Sequence, residues 1–496
     1  MEKSIKIEDL MGESGVKFGT SGARGLATEM TDELCYAVTA AFIQYLERTG
    51  ELEGNGALAV GGDLRPSTGR IMGAAAQAVS DRGYTPVYCG RLPSPALAYY
   101  GLASQMPTIM VTGSHIPDDR NGIKYTRKKG EILKSDEAGI KLETVAVPDG
   151  LFDAQGMLTA SPPPLEAISE AVKMYVDRYL DFFSGNCLKG KKIGVYQHSA
   201  VGRYLMVKIF SGLGAEVTPI GFSKVFVPVD TEAIRPEDVT AAEQWVGKYG
   251  FDAIVSTDGD SDRPLISDER GKWLRGDVAG ILVAVYLGAD AVVAPVSCNT
   301  ALEKCGWFDS VYRTRIGSPY VIEGMENALK AGSQRVVGYE ANGGFLTASN
   351  ISIGGKTLRA LPTRDALIVH LAILLLSVKK GKSISELMSD LPQRFTYSNR
   401  LKDFPTAKSL QAIKKLRSGD AQKDRRAIEA EFGSHFGRVS AIDTTDGLRM
   451  TFQNNEVVHL RPSGNAPEFR CYNEADTTER ALKMNEICLE IMSQWR

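Results

Sequence analysis

The sequence lacks the features that mark several large classes of protein. No apolar run reaches the roughly 20 residues that a membrane-spanning helix needs; one of the longest, ALIVHLAILLLSV, covers only residues 366–378. The first fifteen residues, MEKSIKIEDLMGESG, contain no apolar core of the kind found in a secretory signal peptide. We therefore expect a cytoplasmic protein without a membrane partner.

Paired cysteines and an excess of one charge are also missing. The seven cysteines are scattered and form no Cys-x-x-Cys pair, which argues against structural zinc and against a disulfide framework. The formal net charge is only −2, so no bulk field would attract a nucleic acid. What is present is an ordinary globular composition, with 43% hydrophobic residues in a chain of 496, long enough for several domains.

Short β-rich runs alternate with helix-length segments over the first three quarters of the chain. This alternation is typical of α/β domains with largely parallel or mixed sheets. After Leu391 the pattern changes to hairpin-like β runs between helices, which predicts a separate α+β domain. The predicted domains are three α/β units and one α+β unit, at residues 1–160, 161–275, 276–391 and 392–496.

Polar, glycine-containing loops follow one strand in each unit. They read VTGSHIP, VSTDGDSDR, VVGYEANGG and, in the last unit, HLRPSGNAP. Ligands of open α/β sheets bind outside the carboxyl ends of the strands. The four loops are therefore predicted to meet at one central cleft.

The DGDSDR segment places Asp258, Asp260 and Asp262 at alternate positions. Clustered carboxylates need a positive partner, and all-oxygen ligands favour Mg²⁺ before Ca²⁺. An EF-hand loop is excluded because Arg263 occupies the sixth position, where glycine is needed, and because a strand precedes the loop. A solvated acidic turn is the alternative.

Two other segments predict anion sites. In RPSGNAPEFR, Arg461 and Arg470 flank a turn whose amide groups could donate to a phosphate; a plain β-turn with surface arginines is the alternative. In KFGTSGARG, glycines and hydroxyls surround Arg24, although a flexible loop would read the same way.

The GYEANGGF segment carries Glu340 and Asn342 in a glycine-rich turn. A carboxylate and an amide at this spacing could bind two neighbouring sugar hydroxyls. They could equally form a turn closed by an Asx hydrogen bond.

Ser114 follows an apolar strand but lies outside any G-x-S-x-G elbow, so no hydrolase triad is indicated. Its neighbour His115 would point elsewhere on a strand. Lys124, further along in NGIK, could reach back to stabilise a phosphoryl group or move a proton. This loop suits a serine that carries phosphate better than one that attacks a carbonyl.

Taken together and in order, the segments FGTSGARG, TGSHIPDDRNGIK, DGDSDR, GYEANGG and RPSGNAPEFR resemble the α-D-phosphohexomutases, which include phosphomannomutases and phosphoglucomutases. The resemblance covers essentially the whole chain. It implies three related α/β domains with mixed sheets and a C-terminal α+β domain that closes over a central cleft.

The resemblance also implies roles for individual residues. Ser114 is the phosphoserine and binds Mg²⁺ through its phosphate together with Asp258, Asp260 and Asp262, while Lys124, Arg24 and His115 lie beside the transferred group. The remaining residues contact substrate: Arg263, Glu340, Asn342 and Gly343 near the sugar, and Arg461, Ser463, Gly464, Asn465 and Arg470 at the phosphate that does not react. Hexose phosphates are the implied partners, a hexose 1,6-bisphosphate the activator, and a monomer or homodimer the assembly.

Four positions depart from the family pattern. Asn465 and Ala466 replace a threonine and a glutamate of the phosphate loop. Asn342 replaces a serine in the sugar loop, and Gly344 lies where one branch has histidine. The TGSH motif favours mannose and glucose phosphates; alternatives are a phosphoglucosamine mutase, a strict phosphoglucomutase, a Mg²⁺-dependent phosphatase and an inactive sugar-phosphate-binding homologue.

Overall fold

The computed structural model describes residues 2–19, 22–54, 56–160, 166–183, 185–463 and 467–496. The first domain contains β1 (Glu2–Lys6), α1 (Ile7–Ser14), β2 (Lys17–Phe18), β3 (Gly22–Leu26), α2 (Asp32–Arg48), β4 (Ala57–Gly62), α3 (Thr68–Asp81), β5 (Thr85–Arg91), α4 (Ser94–Ala103), β6 (Thr108–Val111), β7 (Arg120–Arg127), β8 (Gly130–Glu131), α5 (Lys134–Lys141) and β9 (Thr144–Pro148). The second contains α6 (Glu170–Phe182), β10 (Lys192–His198), α7 (Arg203–Gly212), β11 (Glu216–Phe222), α8 (Pro236–Tyr249), β12 (Ala253–Thr257) and β13 (Pro264–Ile266).

The third domain contains α9 (Gly276–Leu287), β14 (Ala291–Pro295), α10 (Ala301–Lys304), β15 (Ser310–Thr314), α11 (Ser318–Lys330), β16 (Val336–Tyr339), β17 (Phe345–Thr347), β18 (Ile351–Ile353), β19 (Lys356–Leu358), α12 (Ala366–Lys380) and α13 (Ile384–Ser389). The fourth contains β20 (Phe395–Leu401), α14 (Thr406–Leu416), α15 (Ala421–Phe436), β21 (Val439–Asp443), β22 (Leu448–Phe452), β23 (Val457–Pro462), β24 (Phe469–Ala475) and α16 (Thr478–Ser493).

One four-strand arrangement occurs in each of the first three domains. The strand orders are β5-β4-β6-β7, β11-β10-β12-β13 and β15-β14-β16-β17. In each, the first three strands are parallel and the last is antiparallel. This repetition confirms the prediction of three related α/β domains with mixed sheets.

The central strands β6, β12, β14 and β16 are buried along their whole length, as expected of strands in a sheet covered by helices on both faces. Val60, Ile109, Val255 and Val293 are fully buried. Helix α12 contains one of the longest apolar runs of the sequence, and its apolar side chains pack inside this core. None of the helices in the described ranges combines the length and apolarity required to span a membrane.

The fourth domain has its own core and a different topology. Its antiparallel sheet has the order β20-β24-β23-β22-β21, and Phe432 and Met484 from the helices pack against it. This confirms the predicted α+β domain. Glu474 joins it to the third domain, because its carboxylate accepts a hydrogen bond from Thr300 N at 3.0 Å.

Candidate active site

Three of the four predicted site loops occupy the same position in the repeated arrangement. Ser114 lies between β6 and β7, the aspartates lie between β12 and β13, and Glu340 lies between β16 and β17. Each loop therefore leaves the carboxyl end of a central strand and turns into the antiparallel edge strand. The fold brings these ends together, as strand-end loops of α/β sheets commonly do.

Ser114 is buried and has a left-handed backbone, with φ of 57°. Its hydroxyl donates to Asp258 Oδ2 at 2.7 Å, and its amide donates to Thr112 Oγ1 at 2.8 Å. A non-glycine residue in this conformation costs about 1–2 kcal/mol, so the surrounding contacts must hold it there.

Arg65, a residue that the sequence analysis missed, supports the backbone of the Ser114 turn. Its guanidinium donates to Ser114 O at 2.8 Å and to Ile116 O, and it forms a buried ion pair with Asp63. It also stacks 4.2 Å from the centre of the Phe226 ring in the second domain. The available signal was GGDLRPS, another polar segment directly after a buried strand.

The three aspartates form one compact cluster. A ligand atom from each of Asp258, Asp260 and Asp262 lies within 4.8 Å of the others, and all three side chains are buried. Lys124 projects from β7 and places Nζ 2.6 Å from Asp260 Oδ2 and 2.7 Å from Asp262 Oδ2. Ser94, also unpredicted, donates to Asp260 Oδ2 at 2.6 Å.

Burial and the two neighbouring carboxylates raise the pKa of Asp258 well above its usual range. Burial alone would also raise the pKa of Asp260, but Lys124 and the hydroxyl of Ser94 lower it overall. The Oδ1 atoms of Asp260 and Asp262 are buried and accept no hydrogen bond from any described residue. Clustered carboxylate oxygens with unused lone pairs fit a hard divalent cation such as Mg²⁺.

His115 and two arginines lie around the serine. The Nδ1 atom of His115 is 3.5 Å from Ser114 Oγ. Burial, followed by the charges of Arg263 and Arg24, lowers the pKa of His115 well below its usual range. Arg24 Nε and Nη2 and Arg263 Nε are buried without hydrogen-bond partners in the described part of the chain, which leaves donors for an anion.

The sugar-loop residues lie at the boundary between the second and third domains. Asn342 Oδ1 accepts from Gly344 N at 2.9 Å, so the loop does contain the Asx turn. Thr231 Oγ1 donates to Asn342 O at 2.6 Å and ties this loop to the second domain. Gly343 has φ of 87°, a conformation that favours glycine.

Arg364 connects the sugar loop to the aspartate loop. Its guanidinium contacts Asp262 Oδ2 through Nη2 at 3.0 Å and Glu340 Oε2 through Nη1 at 3.4 Å. Sequence analysis missed this residue because TRDAL, at the start of α12, has no pattern of its own.

The predicted phosphate-loop arginines lie opposite each other on β23 and β24. Arg461 Nε donates to Asp446 Oδ1 at 2.9 Å, and Arg470 Nη2 donates to Glu468 Oε2 at 3.4 Å. Within the described residues, neither arginine has a hydrogen bond or ion pair with the other three loops. Ser463 is buried at the end of β23, whereas Gly464, Asn465 and Ala466 lie outside the described residues.

Comparisons with known proteins agree with this arrangement. The family models described as phosphoglucomutase/phosphomannomutase, alpha/beta/alpha domains I, II and III, match residues 15–146, 159–271 and 275–395. A phosphomannomutase from Salmonella muenchen is 45% identical over 99% of this chain and 98% of its own. A phosphoglucosamine mutase from Thermotoga petrophila is 26% identical over 95% of this chain and 97% of its own.

A solved structure extends the likeness to the fold. The crystal structure of a phosphoglucomutase/phosphomannomutase family protein from Burkholderia thailandensis aligns with a TM-score of 0.71. The alignment covers 96% of each chain at 18% identity. On the matches to all three domain models and the 45% identity over nearly the whole chain, the protein belongs to the phosphoglucomutase/phosphomannomutase family of α-D-phosphohexomutases.

Proposed function

We propose that the protein interconverts hexose 1-phosphate and hexose 6-phosphate through a phosphoserine at Ser114 and a bisphosphorylated sugar. Mannose phosphates are the proposed main substrates and glucose phosphates the second. The observation that supports this best is the Ser114 hydroxyl, buried in a left-handed turn and 2.7 Å from Asp258 of the aspartate cluster. A serine placed against a metal-binding cluster is suited to carrying phosphate.

The metal ligands in this proposal are Asp258, Asp260, Asp262 and a phosphate oxygen on Ser114. Mg²⁺ bound there would neutralise charge on the transferred phosphoryl group. The unused Oδ1 atoms of Asp260 and Asp262 support this ligand set. Arg263, whose Nε lies 3.9 Å from Asp262 Oδ1, is proposed to contact the substrate.

The transfer requires one bond exchange and one proton exchange. The bond between phosphorus and Ser114 Oγ breaks as the sugar hydroxyl bonds to phosphorus; the hydroxyl loses its proton and Ser114 Oγ gains one. We assign this proton exchange to Lys124, whose position between two carboxylates also places positive charge beside the phosphoryl group. The ring of His115, 3.5 Å from Oγ, orients the serine, and Arg24 binds the phosphoryl oxygens.

The rest of the site holds the sugar and its second phosphate. Glu340, Asn342 and Gly343 are proposed to contact sugar hydroxyls. The residues proposed to bind the phosphate that does not react are Arg461, Ser463, Gly464, Asn465 and Arg470. After the first transfer the bisphosphate turns around in the cleft, and its other phosphoryl group returns to Ser114. Closure of the fourth domain would exclude water, which protects the phosphoserine from hydrolysis.

The choice of mannose rests on similarity and on the TGSH motif. The relative that is 45% identical is a phosphomannomutase, whereas the phosphoglucosamine mutase is 26% identical. A coupled assay on mannose, glucose and glucosamine 1-phosphates, with Mg²⁺ and a trace of hexose 1,6-bisphosphate as activator, tests the choice. Isomerisation of the mannose and glucose esters that Ser114→Ala abolishes is the expected result.

Other outcomes of the same assay would change the proposal. A preference for glucosamine 1-phosphate would replace the substrate and keep the mechanism. Release of inorganic phosphate without isomerised product would indicate a phosphatase. No turnover with any ester would indicate an inactive sugar-phosphate-binding homologue.

The remaining features of the proposal concern assembly and location. We place the domain boundaries at residues 160/161, 275/276 and 391/392 and expect a monomer or homodimer. The seven cysteines are free thiols, which is typical of a reducing cytoplasm. Size-exclusion chromatography with light scattering would measure the assembly.

A further inference from the structure

Arg364 lies between the two loops that handle the metal and the sugar. Its Nε and Nη2 atoms are 3.1 and 3.0 Å from Asp262 Oδ2, and its Nη1 atom is 3.4 Å from Glu340 Oε2. The side chain is only 2% exposed. One buried guanidinium therefore neutralises a carboxylate from each of two domains, a geometry that lysine cannot reproduce.

The space that Arg364 fills exists because residue 344 has no side chain. A Cβ atom on Gly344 would lie 2.5 Å from Arg364 Cδ and 2.6 Å from Arg364 Cγ. Gly344 is not among the glycines with a left-handed backbone, so its conformation does not require glycine. Glycine is required there because Arg364 occupies the space that a side chain would fill.

The backbone that carries Arg364 is anchored by the next residue, Asp365. Asp365 accepts hydrogen bonds from Tyr175, at 2.7 Å, and from Tyr179, both on α6. Its carboxylate also caps α12 by accepting from Leu367 N at 3.2 Å. Because Asp365 is buried and fully bonded, the backbone that carries Arg364 has little freedom to move.

The contact with Arg364 Nη1, at 3.4 Å, restricts the direction of the Glu340 carboxylate. Oε2 is engaged by Arg364, whereas Oε1 accepts no hydrogen bond from any described residue and is free for a sugar hydroxyl. A carboxylate that can rotate would accept from several hydroxyl arrangements, but one held by a guanidinium favours a single arrangement. A site built around one hydroxyl pattern rejects sugars that lack it.

We propose that Arg364 determines sugar specificity by orienting Glu340, and that it occupies the space of the side chain that another branch of the family carries at position 344. The inference rests on the proposed function, because it concerns the sugar of that reaction. Arg364 and a large residue at position 344 are then mutually exclusive, and the pair can be tested as a unit.

The test is a double-mutant cycle with Arg364→Ala, Gly344→His and the double variant. For each protein, kcat and KM are measured on mannose 1-phosphate and glucose 1-phosphate. Loss of a hydrogen-bonded charge corresponds to about 10- to 100-fold, so Arg364→Ala should raise KM by that factor and change the mannose-to-glucose ratio of kcat/KM. Gly344→His should lower kcat/KM by a larger factor than Arg364→Ala does. The double variant should have a kcat/KM at least tenfold higher than that of Gly344→His.

Controls separate specificity from folding and from the proposed function itself. Arg359→Ala removes an exposed arginine of the preceding segment, and its kinetics should match those of the unmodified protein. Arg364→Lys keeps the positive charge but not the planar guanidinium, and it should not restore the mannose-to-glucose ratio of kcat/KM. An unchanged mannose-to-glucose ratio in Arg364→Ala would overturn the proposal, as would a double variant no better than Gly344→His. An unmodified protein with no mutase activity would instead overturn the proposed function.

Discussion

The contact between Arg65 and the Ser114 loop allows a prediction of defined size. Arg65→Lys keeps a cation beside Asp63 but cannot also reach the carbonyl oxygens of Ser114 and Ile116. A hydrogen bond to a charged group contributes about 1.5–3 kcal/mol, so the loss of both should lower the free energy of unfolding by about 3 kcal/mol or more. Without this support the strained turn relaxes, and displacement of a reacting atom by about 1 Å costs about 100-fold in rate.

The assay for this prediction compares activity with stability. Denaturant unfolding gives the change in stability, steady-state kinetics give kcat and KM, and intact-mass spectrometry gives the fraction of protein with phosphorylated Ser114. Arg82→Lys is the matched control, because Arg82 pairs with Glu47 at a partly exposed position of the same domain. If Arg65→Lys were destabilised but kept an unchanged kcat, Arg65 would support folding alone and our reasoning about the serine would be wrong.

Three further predictions concern the same core and site. Lys124→Met should lower kcat by about 10²–10⁴-fold, because the group assigned to proton exchange is removed. It should also tighten Mg²⁺ binding, measured by calorimetry, because a cation that competes for the carboxylates is removed. Weaker Mg²⁺ binding in this variant would contradict the prediction. Gly259→Ala places a Cβ 2.8 Å from Ser114 O and 2.9 Å from Phe226 Cζ, so kcat should fall about 100-fold, and full activity would show that the loop can move aside. Burial lowers the pKa of His370 from 6.5 to about 3. As pH falls below 6.5, the histidine therefore becomes protonated in the unfolded chain while it stays neutral in the folded protein. This difference in protonation lowers the free energy of unfolding by about 2 kcal/mol at pH 5. His370→Leu should flatten the decline of the unfolding temperature between pH 7 and 5, and an unchanged slope would refute the assignment.

The parts of the fold that could be predicted are those set by local patterns. Apolar runs before polar, glycine-containing loops predicted β6, β12 and β16, and the strand-end rule placed Ser114 near the aspartates, as observed. The antiparallel strand β7 was harder to predict from the sequence, because its residues do not alternate between apolar and polar along its whole length. Lys124 was expected to reach back towards Ser114 from further along the chain; it lies on β7, whose pairing with β6 fixes its direction.

Residues that act through distant contacts gave no local signal. Arg364 contacts Asp262, about a hundred positions earlier in the chain, and nothing in TRDAL records that contact. Arg65 differs, because its segment follows a buried strand and the strand-end rule would have included it. A buried ion pair is visible in sequence only when both partners fall in recognised motifs.

Threefold repetition of one sheet arrangement also has a consequence for how the protein can change. In the proposed mechanism each copy contributes a different part of the site: the first contributes Ser114, the second the carboxylates and the third the sugar contacts. These parts meet only across seams between copies, where Lys124, Arg364 and Thr231 reach from one copy into the next. A substitution that alters the fit between copies can therefore abolish activity while every copy stays folded. In the proposed mechanism, sugar specificity can change through the third copy without a change at Ser114.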